Sequence, residues 1–260
     1  MRIDLRIICL FLALAGLGGC VTHTSRDNGL KVPTASDSAE NGARIHTELG
    51  QRYMAQGDLE GALDKLKIAL GFDPNYVPAH TVIAVVYERI GQMPEAEAHY
   101  RAALRMQPGK GDLNNNLGAF LCRVNRPAEG LPYLYAALAD PFYRTPAVAW
   151  TNRGICDTEL GAPEAAETDF RHALETDPTD AYALYHLAQL FYKGNDPLHA
   201  EAFLQRLDGL GRPDPDMLHL GYLIELKLGH ADLAKGYASR LRTQYPASPQ
   251  AHSLDLAAQP

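Results

Sequence analysis

The sequence predicts an all-α protein, a right-handed α-solenoid superhelix of about six helix-turn-helix repeats. Three observations carry that reading: evenly spaced bend residues, a small residue five places after each bend, and a proline closing most periods. The bends are Gly57, Gly91, Asn125, Gly161, Asn195 and Gly229, spaced by 34, 34, 36, 34 and 34 residues. The small residues are Ala62, Ala96, Gly130, Ala166, Ala200 and Ala234, and the closing positions are Pro74, Pro108, Phe142, Pro178, Arg212 and Pro246. Self-similarity at such a period marks stacked units, each too small to bury a core alone. Composition agrees with a folded chain, since 46% of the 260 residues are hydrophobic and 21% charged, near globular averages. The net charge of −7, with no dense run of Lys and Arg, excludes wrapping of nucleic acid.

The first element, residues 1–19, has the form of a signal peptide. MRIDLR carries two arginines and is followed by an apolar run of about 13 residues. That run covers roughly 20 Å as a helix, too short for a bilayer core of about 30 Å. Leu17-Gly18-Gly19-Cys20 resembles the lipobox of bacterial lipoproteins. The resemblance implies that Cys20 receives diacylglycerol and becomes the new N-terminus, held by several buried acyl chains. Residue 21 is Val rather than Asp, which implies the periplasmic face of the outer membrane. Residues 20–42, rich in Ser, Thr, Asp, Asn and Gly, read as a lipidated, solvated tether.

The six repeats then run over 43–76, 77–110, 111–146, 147–180, 181–214 and 215–248, leaving 249–260 as a tail. Their signature matches the tetratricopeptide pattern of Leu-Gly-x₂-Tyr, Ala-x₃-Phe and a closing Pro. Leu49-Gly50-x₂-Tyr53, Ala62-x₃-Leu66 and Pro74 spell it in the first repeat. Gly50, Ala84, Gly118, Gly154 and Ala188 let the first helix of each pair approach the second. Tyr53, Tyr87, Leu121 and Phe191 fill the space between hairpins. Proline ends the second helix because it lacks an N–H and clashes with the preceding turn. The fit is poorest where Arg153 replaces an apolar residue, where Asp157 replaces an aromatic one, and where Gly221 is slipped by one place. The two extra residues fall in Asp140-Pro141-Phe142-Tyr143-Arg144-Thr145-Pro146.

Cys122 and Cys156 lie on the first helices of adjacent repeats. Position twelve of a repeat faces the groove and position ten does not, so spacing leaves a bridge and two buried thiols both open. A bridge would close a loop of about 35 residues, worth roughly 3–4 kcal/mol. Metal-binding spacing does not accompany them. The GKG at 109–111 lacks the spacing of a phosphate loop, and no hydrolase, zinc-protease or kinase motif is present. His46, His80, His186 and His219 read as packed or solvated histidines, and Pro163 to Asp169 as a solvated helix face. No catalytic residue, metal, cofactor or small-molecule substrate is expected.

The middle of the array carries a more specific resemblance. LNNNLGAFLCRVNRPAEGLPYLYAAL, followed by DPFYRTPAVAWTNRGICDTELG, is similar to the central region of the PilF/PilW lipoproteins of type IV pilus biogenesis. The shared positions are Asn115, Asn116, Gly118, Phe120, Leu121 and Cys122, then Pro141, Tyr143, Pro146, Asn152, Gly154 and Cys156. The resemblance spans about residues 43–250. It implies a Cys122–Cys156 disulfide, as in some members. It also implies a non-catalytic pilotin, which assists the type IV pilus secretin, the outer-membrane pore subunit, to localise or multimerise. The alternative is a general scaffold lipoprotein of the same fold, serving cell-wall enzymes or outer-membrane protein assembly.

Two surfaces are candidates for the partner. First helices line the concave side through positions two, five, nine and twelve. In repeat five these are Tyr182, Tyr185, Gln189 and Tyr192; in repeat six they are Asp216, His219, Leu223 and Leu226. Tyrosine gives contact area with few rotors to freeze. The other surface is the first repeat, where no preceding hairpin covers Leu49, Tyr53 and Leu66, so an apolar end is expected.

Overall fold

A computed structural model describes residues 34–257, which form thirteen helices and no strand. Six antiparallel hairpins follow one another: α1 (Ala35–Ala55) with α2 (Leu59–Phe72), α3 (Val77–Arg89) with α4 (Met93–Met106), and α5 (Gly111–Arg123) with α6 (Pro127–Ala139). The others are α7 (Pro146–Glu159) with α8 (Pro163–Thr176), α9 (Ala181–Lys193) with α10 (Pro197–Asp208), and α11 (Pro215–Leu228) with α12 (Ala231–Gln244). The last helix is α13 (Pro249–Ala257). Each helix packs on its hairpin partner and on the next hairpin, so the core runs as a continuous strip between two layers of helices. Among the described residues no helix is long and apolar enough to cross a membrane.

All six bend residues adopt the left-handed conformation, with φ between 61° and 84°. Glycine tolerates it freely, and asparagine, at 125 and 195, is among the side chains that adopt it most readily. At the other end of the four periods that close on proline, the residue before it leaves the helical region: Asp73, Gln107, Asp177 and Tyr245 share φ from −136° to −139° with positive ψ. The proline ring excludes the helical region from the residue before it, so the second helix stops there.

Between bend and stop, the two helices of a hairpin touch through small residues. A Cβ placed on Gly50 would lie 2.6 Å from Leu66, one on Gly118 2.7 Å from Leu134, and one on Gly154 2.6 Å from Phe170. Gly221, one place out of register, does the same job against Tyr237 at 2.8 Å. In the third hairpin both sides are glycine, and a Cβ on Gly130 would meet the Gly118 carbonyl oxygen at 2.6 Å. Elsewhere alanine suffices, and Ala62, Ala96, Ala166, Ala200 and Ala234 are all buried.

Two boundaries differ from the sequence reading. Residues 35–42, assigned to the tether, are the first two turns of α1. Thr34 accepts from the Asp37 N–H while the Asp37 carboxylate accepts from the Thr34 N–H, a capping box that starts the helix early. These hydrogen bonds hold the Asp37 carboxyl below its ordinary range. The tail from 249 is also helical, and Ala251 and Leu254 of α13 are buried against α11 and α12. It covers the face on which a seventh hairpin would have stacked.

The two extra residues between repeats three and four form a built loop. The Asp140 carboxylate accepts from the N–H groups of Gly111 and Phe142 at 2.8 and 2.9 Å. Tyr143 turns inward over Gly111, where a Cβ would collide with its ring at 2.7 Å.

Repeat four buries charge where its neighbours bury apolar groups. Arg153 pairs with Asp169 at 3.0 Å, and its guanidinium lies over the rings of Tyr135 and Trp150 at 4.1 and 4.6 Å. Asp169 also hydrogen-bonds Asp157, which stands in the core position that Tyr87 or Phe191 fills elsewhere. Burial pushes the Asp169 carboxyl up to about 7, against the pull of Arg153.

Two measurements follow from this packing. Gly130→Ala forces a methyl onto a backbone oxygen and is expected to cost about 1–3 kcal/mol in chemical denaturation. Gly236→Ala, within α12 and with no atom in reach of the new methyl, is expected to add about 0.5–1 kcal/mol. Equal effects would refute the close-contact account. The second concerns pH. The folded Asp169 binds its proton more tightly than the unfolded chain does, so its contribution falls as pH rises from about 4 and levels off above about 7. The stability of the wild type relative to Asp169→Asn should therefore be greater at pH 5 than at pH 8. A difference independent of pH would show that Asp169 titrates normally.

Candidate functional site

Of the residues assigned to the concave side, Tyr182 lines a groove with residues of the two preceding repeats. The groove has a volume of about 640 Å³ and crosses three successive first helices, α5, α7 and α9. Ala119 and Cys122 form one wall, Val148, Thr151 and Ile155 the floor, and Tyr182 the far rim. Tyr182 is 73% exposed and Val148 is also open. A side chain that large and that exposed over an apolar floor is a ready anchor for a partner.

The polar groups around the groove are held by neighbours. Thr151 donates to Asp180 at 2.7 Å, and the other Asp180 oxygen accepts from the N–H groups of Tyr182 and Ala183 at 2.9 and 3.1 Å. That carboxylate caps α9 and fixes where Tyr182 emerges. The Asn152 amide donates to Asn115 at 2.9 Å, joining repeats three and four. Arg123 pairs with Glu88 at 2.6 Å. His186 stacks on Phe170 at 5.4 Å, and burial lowers its pKa to about 4, so the ring is neutral near pH 7. An apolar floor with a few fixed polar groups at its edge suits an extended peptide segment.

The three tyrosines of repeat five do not form one surface. Tyr182 opens into this groove, whereas Tyr185 and Tyr192 are half-buried against the C-terminal core. Tyr185 accepts from Gln189 at 3.5 Å, and burial raises its hydroxyl pKa. Tyr192 lies beneath the Lys227 ammonium, 4.8 Å from its ring. In repeat six, Asp216 and His219 are engaged by Gln250 and Ser253 of α13.

At the other end, Leu66 is a correction. It is 0% exposed because it fills the hairpin contact opposite Gly50, so it offers nothing to a partner. Tyr53 is half-buried in the same cluster, beside Val82, Ile83 and Val86. Leu49 is half-open, while its equivalents Ile83, Leu117 and Leu187 are buried. The residue overlooked is Ile45, 48% exposed, although its equivalents Ala79, Leu113, Ala149, Ala183 and Met217 are all buried. Position three faces the preceding hairpin, and among the described residues the first repeat has none. The repeat register itself held that signal.

Cys122 and Cys156 meet at the groove's edge. Their Cα atoms are 5.3 Å apart and the sulfurs are in contact, the separation a disulfide requires. Cys20 lies outside the described residues.

Tetratricopeptide-repeat family models match residues 47–112 and 81–146, and a second such model matches 158–220. The type IV pilus assembly protein PilF of Pseudomonas aeruginosa is 28% identical over 243 residues, covering 94% of this chain and 95% of that protein. The solved structure of PilW, a widely conserved type IV pilus biogenesis factor, superposes with a TM-score of 0.74 at 32% identity, covering 82% of this chain and 97% of PilW. The solved Pseudomonas aeruginosa PilF shares the fold, with a TM-score of 0.71 at 24% identity over 85% of this chain and 99% of that one. A hairpin array with this register, this central segment and these relatives belongs to the PilF/PilW family of type IV pilus biogenesis tetratricopeptide-repeat proteins.

Proposed function

We propose that the chain is a pilotin: a non-catalytic lipoprotein, anchored through Cys20 to the periplasmic face of the outer membrane, that binds the type IV pilus secretin and promotes its multimerisation. Family membership supports the pilus setting, and the groove under Tyr182 supports the mode of action. That groove spans three repeats, is apolar along its floor and is edged by fixed polar groups, which suits capture of one extended secretin segment. Holding such segments at the membrane raises the local concentration of subunits that must assemble there. The open first-repeat end, at Ile45 and Leu49, is the weaker candidate because Leu66 and Tyr53 belong to the core.

A Cys122–Cys156 bridge belongs to the same reading. It would staple α5 to α7 where both line the groove, across a sequence separation of 34 residues. Thiol labelling of denatured periplasmic protein, without reductant, is expected to find neither cysteine free. Two labelled thiols per chain would remove the bridge. Its loss should lower stability by about 3 kcal/mol in the loop-entropy account.

Deletion of the protein is expected to leave pilin made, surface pili scarce and the secretin monomeric rather than a heat-stable multimer. Restoring the gene with Tyr182→Ala should give a folded protein that binds the secretin about thirtyfold more weakly, the loss of about 2 kcal/mol typical of a central anchor. Normal secretin multimers in the deletion strain would reject the pilotin reading and favour the general-scaffold one.

A further inference from the structure

We infer that Glu201, Glu225 and His230 form a binding site for a divalent metal ion of the zinc class. The three lie on different elements: Glu201 in α10, Glu225 in α11, and His230 at the start of α12. One ligand atom of each lies within 4.8 Å of the others, and His230 Nδ1 is 2.9 Å from Glu225 Oε2. An ion bound at about 2.0–2.2 Å by nitrogen and oxygen holds neighbouring ligand atoms about 3–3.5 Å apart, so a small inward turn of the exposed His230 and the half-buried Glu201 closes the set. Imidazole with carboxylates is a donor set that zinc and its neighbours accept.

The observation that asks for a cation is Glu225 itself. Its side chain is only 3% exposed, in the core position that Tyr53, Tyr87, Leu121 and Phe191 fill in other repeats. The comparable buried carboxylate of repeat four faces a guanidinium, since Asp169 has Arg153. The partner of Glu225 is the imidazole of His230 instead, at 2.9 Å, and the third member is a second carboxylate. Two carboxylates and an imidazole converging on one point, with one carboxylate buried, form a donor set that a divalent ion satisfies. The ligands are also held. Glu201 is oriented by the Gln205 amide, which donates to it at 3.1 Å, and the backbone of His230 is fixed by the N–H to Glu225 carbonyl bond, 2.9 Å, that every bend of the array makes. Supporting bonds of this kind orient metal ligands. A bound ion would tie repeat five to the bend of repeat six.

The test uses detergent-solubilised full-length protein without a histidine tag, stripped with chelator and titrated with zinc chloride by calorimetry. One ion per chain is expected, with a thermal midpoint raised by about 5–10 °C at a hundredfold excess over Kd. His230→Ala and Glu201→Gln alter side chains outside the core and should each weaken binding at least tenfold with helix content unchanged. His199→Ala, at an exposed histidine that pairs with Asp196 and stacks on Phe191, should bind as the wild type does. Absence of saturable uptake, or uptake unchanged in both site variants, would overturn the inference.

Discussion

Everything in this molecule depends on how closely the two helices of each hairpin approach. Glycine or alanine on one helix admits a large side chain from the other, as Gly50 admits Leu66 and Gly154 admits Phe170. That approach fixes the hairpin angle, and the hairpin angle, repeated, fixes the superhelix and its concave side. Dispersion contacts are individually weak but numerous at such distances, and the close-packed interior transmits any misfit. The groove under Tyr182 is thus an outcome of contacts made on the far side of the same helices. A methyl group added inside a hairpin would change the spacing of α5, α7 and α9 without touching the groove.

Charge enters the core at two places. In repeat four, Arg153, Asp157 and Asp169 stand where neighbouring repeats bury apolar residues, with Arg153 paired to Asp169 and two rings covering the guanidinium. Such a network rarely adds net stability over well-packed hydrocarbon, but removal of one member leaves an unpaired buried charge. The second place is repeat six, where the buried Glu225 meets His230.

The bends and stops were legible because they are local: a glycine or asparagine at the turn and a proline at the end act through their own backbones. Gly221 was legible as a slip because a glycine has few other uses inside a helix. The start of α1 was not read, since Ser36, Asp37, Ser38 and Asn41 hide a Thr34–Asp37 capping box behind a polar composition. Asp157 and Arg153 were visible as misfits, but their completion by Asp169 depends on the opposite helix. The candidate surface was legible as a set of positions, of which Tyr182 lies on the groove while Tyr185 and Tyr192 do not. Leu66 was misassigned because its place in the motif was noted and its direction was not. Direction follows from comparing equivalent positions, and the same comparison singles out Ile45.

The helix α13 gives the array a polarity. Ala251 and Leu254 occupy the apolar face of the last hairpin, while among the described residues nothing covers Ile45 of the first hairpin in that way. Stacking one copy's first repeat onto another's last would need both faces open, and only one is. Head-to-tail addition, the geometry that propagates into filaments, therefore meets a face that α13 already covers. A molecule built from a unit whose nature is to stack on its own kind is in this way kept from growing beyond its own length.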